Sequence, residues 1–112
     1  MVKTIFLKRK TKMLHRLRSY QLAVLFYREA VAQSAPRHLR DQLLRAASSV
    51  ALNLSEGSAK KSQADRRRFY EIALGSVRES EAIVELLEPN SARLKEPIDI
   101  LARHVYKLVR AL

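Results

Sequence analysis

Three histidines, His15, His38 and His104, and the serines Ser55, Ser58 and Ser62 are the groups with which this chain could move protons or attack a substrate. Their spacing does not support either role. No histidine has a second histidine or a carboxylate at the His-x-x-x-His or Glu-x-x-His separation that turns two ligands toward one metal on a helix. The serines have no base nearby in sequence. Cysteine is absent, which removes thiolate zinc sites and disulfides. The two glycines cannot build a phosphate-cradling loop, which needs several backbone positions without a Cβ. The expectation is no catalytic residue, no metal and no cofactor: the chain does not read as an enzyme.

More unusual are polar groups set on apolar faces. At about 100° per residue, Asn53 projects between Ala46 and Val50, and Glu56 lies at the edge of the same stripe near Arg45 and Ser49. Glu79 projects beside Ile72, Ile83 and Leu86. A buried amide or carboxylate is costly unless hydrogen-bonded, so Asn53 and Glu79 are expected to find partners inside the protein. The favoured role is structural, fixing helix register or subunit orientation. A small ligand pocket around Asn53, Glu56 and Glu79 is the weaker alternative, because two carboxylates and an amide are too few for a hard metal.

Charge supplies the third kind of chemistry. The chain carries a net charge of +11. Lys3, Lys8, Arg9, Lys10, Lys12, Arg16 and Arg18 contribute seven positive charges with no acid among them. The other 94 residues hold 15 basic and 11 acidic side chains, so the body is only mildly basic. A basic arm of this kind suits polyanions, since Lys and Arg displace counterions from phosphates. A solvated, disordered leader is the bland alternative for residues 1–17. Within the body, Lys60 and Lys61 lie in a loop and are better placed to meet phosphates than Arg66, Arg67 and Arg68, which fan around a helix. No aromatic interleaves with these bases in the pattern used to stack on single strands.

The elements that must position these groups are helical. Ser19 is expected to cap a first helix running to Ala32 or Gln33, with Leu22, Leu25, Phe26 and Ala30 at helical spacing. Ser34-Ala-Pro36 breaks the chain, and Pro36 fits the first turn of a second helix. There Leu39, Leu43, Ala46, Val50, Leu54 and Gly57 share one face. Ser62-Gln-Ala-Asp65 is a capping-box-like start for a third helix, with Phe69, Ile72, Ala73, Ser76, Ser80, Ile83 and Leu87 as its stripe. Pro97 is assigned to the first turn of a fourth, in which Ile98, Leu101, Val105, Leu108 and Leu112 recur every three or four residues. Four amphipathic segments with short connections predict an all-α, antiparallel up-and-down four-helix bundle over residues 18–112. A second, small-residue face on helix 2 (Leu44, Ala47 and Ala51), with Gly75 and Ala82 on helix 3, predicts self-association. No uncharged run reaches the roughly 20 residues of a bilayer span, and the first residues lack a secretory apolar stretch. A cytoplasmic protein is expected.

Gln42-Leu-Leu-Arg-Ala-Ala-Ser-Ser-Val-Ala-Leu-Asn-Leu-Ser-Glu-Gly-Ser58 resembles the signature of the bacterial four-helix-bundle family also called the ribosomal-RNA intervening-sequence or S23-like family. Arg68-Phe-Tyr-Glu-Ile-Ala-Leu-Gly-Ser-Val-Arg-Glu-Ser-Glu81 resembles that family's second block. Arg45, Asn53, Glu56, Gly57, Gly75, Ser76, Glu79 and Glu81 fall at motif positions. Ala51 stands where the family usually has proline, and residues 1–17 lie outside the resemblance. The resemblance implies a four-helix bundle assembling into a ring, commonly a homopentamer. It also implies kinship with the accessory protein of diversity-generating retroelements, a basic pentamer that binds nucleic acid and a reverse transcriptase.

The leading functional expectation is a non-enzymatic homo-oligomeric scaffold, pentameric by the resemblance. It would bind RNA or DNA electrostatically through Lys8, Arg9, Lys10, Lys12, Lys60 and Lys61, with an adaptor role for a nucleic-acid-processing enzyme as an extension. The alternative is a protein–protein interaction module with no nucleic-acid role, in which the charge only solubilises.

Overall fold

The computed structural model describes residues 2–112, with side chains from His15 onward. Four helices follow one another: α1 (Val2–Ala32), α2 (Arg37–Ala59), α3 (Gln63–Leu86) and α4 (Ala92–Arg110). Each packs against its chain neighbours, and α1 also packs on α4, so the four close into an up-and-down bundle. The pair α2–α3 is the most extensive. The molecule measures 54 × 23 × 19 Å. Its long dimension reflects α1, whose 31 residues rise about 46 Å at 1.5 Å each.

The helix starts differ from expectation at two places. Ser19 does not cap α1. It lies inside the helix and is almost wholly buried. Neither Pro nor Gly occurs before Pro36, so nothing in residues 2–32 interrupts the helix. The lysines and arginines before His15 lie on this helix, but their side chains fall outside the described residues. Pro97, assigned to a first turn, sits inside α4, which begins five residues earlier at Ala92. Pro36 is the N-cap of α2, one position before the first helical residue. At α3 the reading holds: the Asp65 N–H donates to Ser62 Oγ at 3.1 Å.

The core is built from Leu22, Phe26 and Ala30 of α1, Leu43, Val50 and Leu54 of α2, Tyr70, Ala73, Val77 and Val84 of α3, and Leu94, Leu101 and Val105 of α4. Burying each large side chain contributes about 1.5–3 kcal/mol. The stripe of α3 is rotated from the one the sequence suggested. Tyr70, Val77 and Val84 face inward, whereas Ile72 is exposed and Phe69 and Ser76 are half-buried.

Polar groups tie the far end of the bundle. Ser91, fully buried, donates from its Oγ to the Val84 carbonyl at 2.6 Å and so pins the α3–α4 turn to the end of α3. The Gln33 amide donates to the carbonyls of Ser34 (2.9 Å) and Asn90 (3.0 Å), joining the two loops that share this end. Arg40 donates to the Gln33 carbonyl at 2.9 Å.

Two expectations follow. A Cβ at Gly57 would lie 2.6 and 2.7 Å from the buried Tyr70 ring and 3.2 Å from Phe69 Cβ. Gly57→Ala therefore loses more by overpacking, about 1–3 kcal/mol, than the roughly 1 kcal/mol alanine gains in helix propensity. A lowered Tm by thermal circular dichroism checks this, and an unchanged or raised Tm contradicts it. Ser91→Ala leaves the Val84 carbonyl without that partner and should cost about 1–3 kcal/mol, read as a lower urea midpoint with an unchanged m-value.

Candidate nucleic-acid interface

Leu17 and Tyr20 line a groove with Ser55 and Ser58, near the C-terminal end of α2. The turns of α1 that precede His15 therefore continue past the α2–α3 loop. This places the basic segment at the start of the chain and the basic segment 60–68 at one end of the bundle, although more than forty residues separate them in sequence. Arg16 lies in that groove, and with His15 it also borders Tyr70 and the C-terminal residues Ala111 and Leu112.

The body's contribution is partly engaged in local contacts. Lys60 Nζ lies 3.8 Å from the Glu56 carboxylate and 5.1 Å from the centroid of the Phe69 ring. Arg68 stands 5.0 Å from the same centroid. Phe69, half-buried, is thus close to two cations, a single aromatic rather than the interleaved series that stacks on single strands. The signal for it was adjacency to Arg68; the contact with Lys60 arises only on folding. Arg66 donates to the Lys60 carbonyl at 2.7 Å and closes the end of α2. Arg67 donates to the carbonyl of Leu112. Lys61 is exposed. Of the residues expected to meet phosphates, Lys60 and Lys61 lie at this end. Lys8, Arg9, Lys10 and Lys12 have side chains outside the described residues. Arg16 and Arg68 join them here and were not singled out as binding residues by sequence.

The motif residues do not form a buried polar core. Glu79 and Glu56 are exposed and Asn53 is only half-buried. The Asn53 amide donates to the Ser49 carbonyl at 2.8 Å and to Ser49 Oγ at 3.1 Å, both within its own helix. Ser76 Oγ donates to Ser49 Oγ at 2.8 Å across the α2–α3 seam. The expected need for interior partners is therefore removed for Glu79 and met locally for Asn53. Arg45 is exposed. Gly57 acts as a close-packing position beneath Tyr70.

The small-residue face of α2 also changes meaning. Ala47 is fully buried within the chain itself and cannot face another subunit. Its helical phase turns it inward beside Leu43 and Leu54. Leu44 and Ala51 are half-buried and packed against the core.

Elsewhere the ionisable groups are ordinary surface pairs. Lys95, 2.5 Å from Glu88, is held above the usual lysine range by that carboxylate's hydrogen bond and charge. Arg110 is raised by its contact with Tyr106. Among the described residues no three His, Asp or Glu side chains cluster as a metal site, and no helix is long and apolar enough to cross a membrane.

Comparison with known proteins agrees with this architecture. A crystal structure of a protein of unknown function from the S23 ribosomal protein family of Bacteroides thetaiotaomicron is similar in fold. It superposes with a TM-score of 0.60 at 23% identity, over 87% of this chain and 93% of that one. Comparison with curated proteins gave no match. The profile of the 23S rRNA-intervening sequence proteins matches residues 11–112, nearly the whole length, and the chain belongs to that family.

Proposed function

We propose that this protein is a non-enzymatic, self-associating scaffold that binds RNA or DNA through the basic end of its bundle. The observation that carries the reading is that two separate basic segments lie at the same end: the helical start of α1, and the α2–α3 connection with Lys60 and Lys61 together with Arg68 at the start of α3. Lys61 is exposed, and Lys60 and Arg68 flank an aromatic face. Phosphate contacts from such a surface are electrostatic and carry little sequence information. Phe69 adds one aromatic surface on which cations are already held. Multiplying the basic end in a ring, pentameric as the resemblance implies, would turn weak single contacts into avid binding. An adaptor role for a nucleic-acid-processing enzyme is an extension of the same reading.

A second reading, a protein-interaction module whose charge only solubilises it, is favoured by the exposed apolar side chains Leu17, Leu52 and Leu86. Salt dependence separates the two. Affinity for a labelled RNA or DNA oligonucleotide should fall linearly on a log–log plot against salt, with a slope of about 0.9 per duplex phosphate contact or 0.7 per single-strand contact. Replacing Lys60 and Lys61 together by Gln should reduce that slope by about one to two. Binding that ignores salt, or no binding at low salt, overturns the nucleic-acid reading and leaves the interaction module.

A further inference from the structure

Two apolar stripes on the bundle are left uncovered by the chain's own helices. The first runs along α1: Leu17, Tyr20, Val24, Tyr27 and Val31, spaced three and four residues apart. Val24 is half-buried and the other four are exposed, Leu17 at 53%. Beside its N-terminal part, Ser55 and Ser58 of α2 leave a groove between the helices, which Leu17 and Tyr20 line from the other side. The second stripe is the outer ridge of α3: Ile72, Gly75, Glu79, Ala82 and Leu86, at the same alternating spacing and all exposed, Leu86 at 68%.

We infer that these are the two halves of one contact: the α3 ridge of one copy lies in the α1–α2 groove of the next. The inference rests on the self-association in the proposed function and specifies its geometry. Both stripes span fifteen residues in the sequence, about 21 Å of helix from first to last, and both have the heptad spacing that lets helices interlock. Their shapes are complementary, a ridge on one helix and a cleft between two. Gly75 fits this arrangement. Within the chain nothing lies within 4 Å of where its Cβ would be, yet a glycine inside a helix sacrifices about 1 kcal/mol relative to alanine. A close-approaching neighbour, such as a tyrosine ring from the groove, gives that gap a use. Charge agrees as well. The ridge carries Glu79 at its middle and exposed Glu71 beside Ile72, while Arg16 lines the groove. Because the two surfaces differ, the contact is heterologous: each copy offers one half of the interface to each of two neighbours.

The test uses one variant with a disabled groove (Tyr20→Glu and Tyr27→Glu) and one with a disabled ridge (Ile72→Glu and Leu86→Glu). All four positions are exposed, and helical circular dichroism verifies each fold. Light scattering on the chromatographed protein should find wild type oligomeric and each variant alone monomeric. An equimolar mixture should give a discrete one-to-one dimer, because one intact groove then meets one intact ridge. A mixture that stays monomeric overturns the groove–ridge pairing. Variants that still assemble like wild type overturn these surfaces while leaving self-association standing. A monomeric wild type overturns both. If a variant does not fold, Tyr20→Lys with Tyr27→Lys or Gly75→Glu replaces it in the same mixture.

Discussion

The approach of α2 to α3 at Gly57 is the contact on which most of the remaining geometry depends. Tyr70 is fully buried with its ring against the bare backbone of Gly57, and a side chain at that point would collide with it. Farther along, Ser49 and Ser76 meet through their hydroxyls. Two such contacts fix both the distance between the helices and their register. With Tyr70 locked inward, helical phase turns Ile72, Gly75 and Glu79 outward. The same closeness shortens the α2–α3 connection to a few residues, which brings Lys60 over Phe69 and lets Arg66 reach the Lys60 carbonyl. The charged end of the bundle and the outer ridge of α3 are thus consequences of one glycine–tyrosine contact.

Much of the fold was legible because the apolar residues of α2 and α4 recur at spacings no strand would produce. Ser62 and Asp65 marked the start of α3 for a local reason, a side chain that satisfies a free N–H. The errors also have local causes. Serine often caps helices, but Ser19 lies in a long stretch without Gly or Pro and faces the core, so the helix passes through it. On α3 the apolar Ile72, assigned to the stripe, lies outside, while Tyr70, left off it, lies inside. A stripe drawn through the most apolar positions is therefore rotated toward solvent. That rotation made Glu79 look buried. Asn53 was misjudged more narrowly: its phase is near the core, but its amide is satisfied one turn back on its own helix.

The candidate interface was the least legible part, because it is assembled from positions far apart in the chain. Composition revealed a basic start and a basic patch near residue 60, but not that both lie at one end. That follows from α1 and α2 being antiparallel neighbours, with Leu17 and Tyr20 beside Ser55 and Ser58. Phe69 is legible as an apolar residue of α3. Its closeness to Lys60 depends on the fold.

Placing charge at one end and apolar stripes along the sides separates two demands that would otherwise conflict. A net charge of +11 on 112 residues makes copies of this chain repel one another. Repulsion between exposed charges falls off over about 8–10 Å at moderate salt, whereas each stripe runs about 21 Å along the bundle. A side-by-side contact through the groove and the ridge therefore keeps most of its length beyond the reach of the basic ends. In a closed cyclic arrangement those ends all point the same way. Their mutual repulsion then opposes assembly, and a polyanion laid across them would remove it. On the proposed reading, binding and assembly are coupled through that repulsion. By thermodynamic reciprocity, whatever strengthens the ring also strengthens its hold on the polyanion.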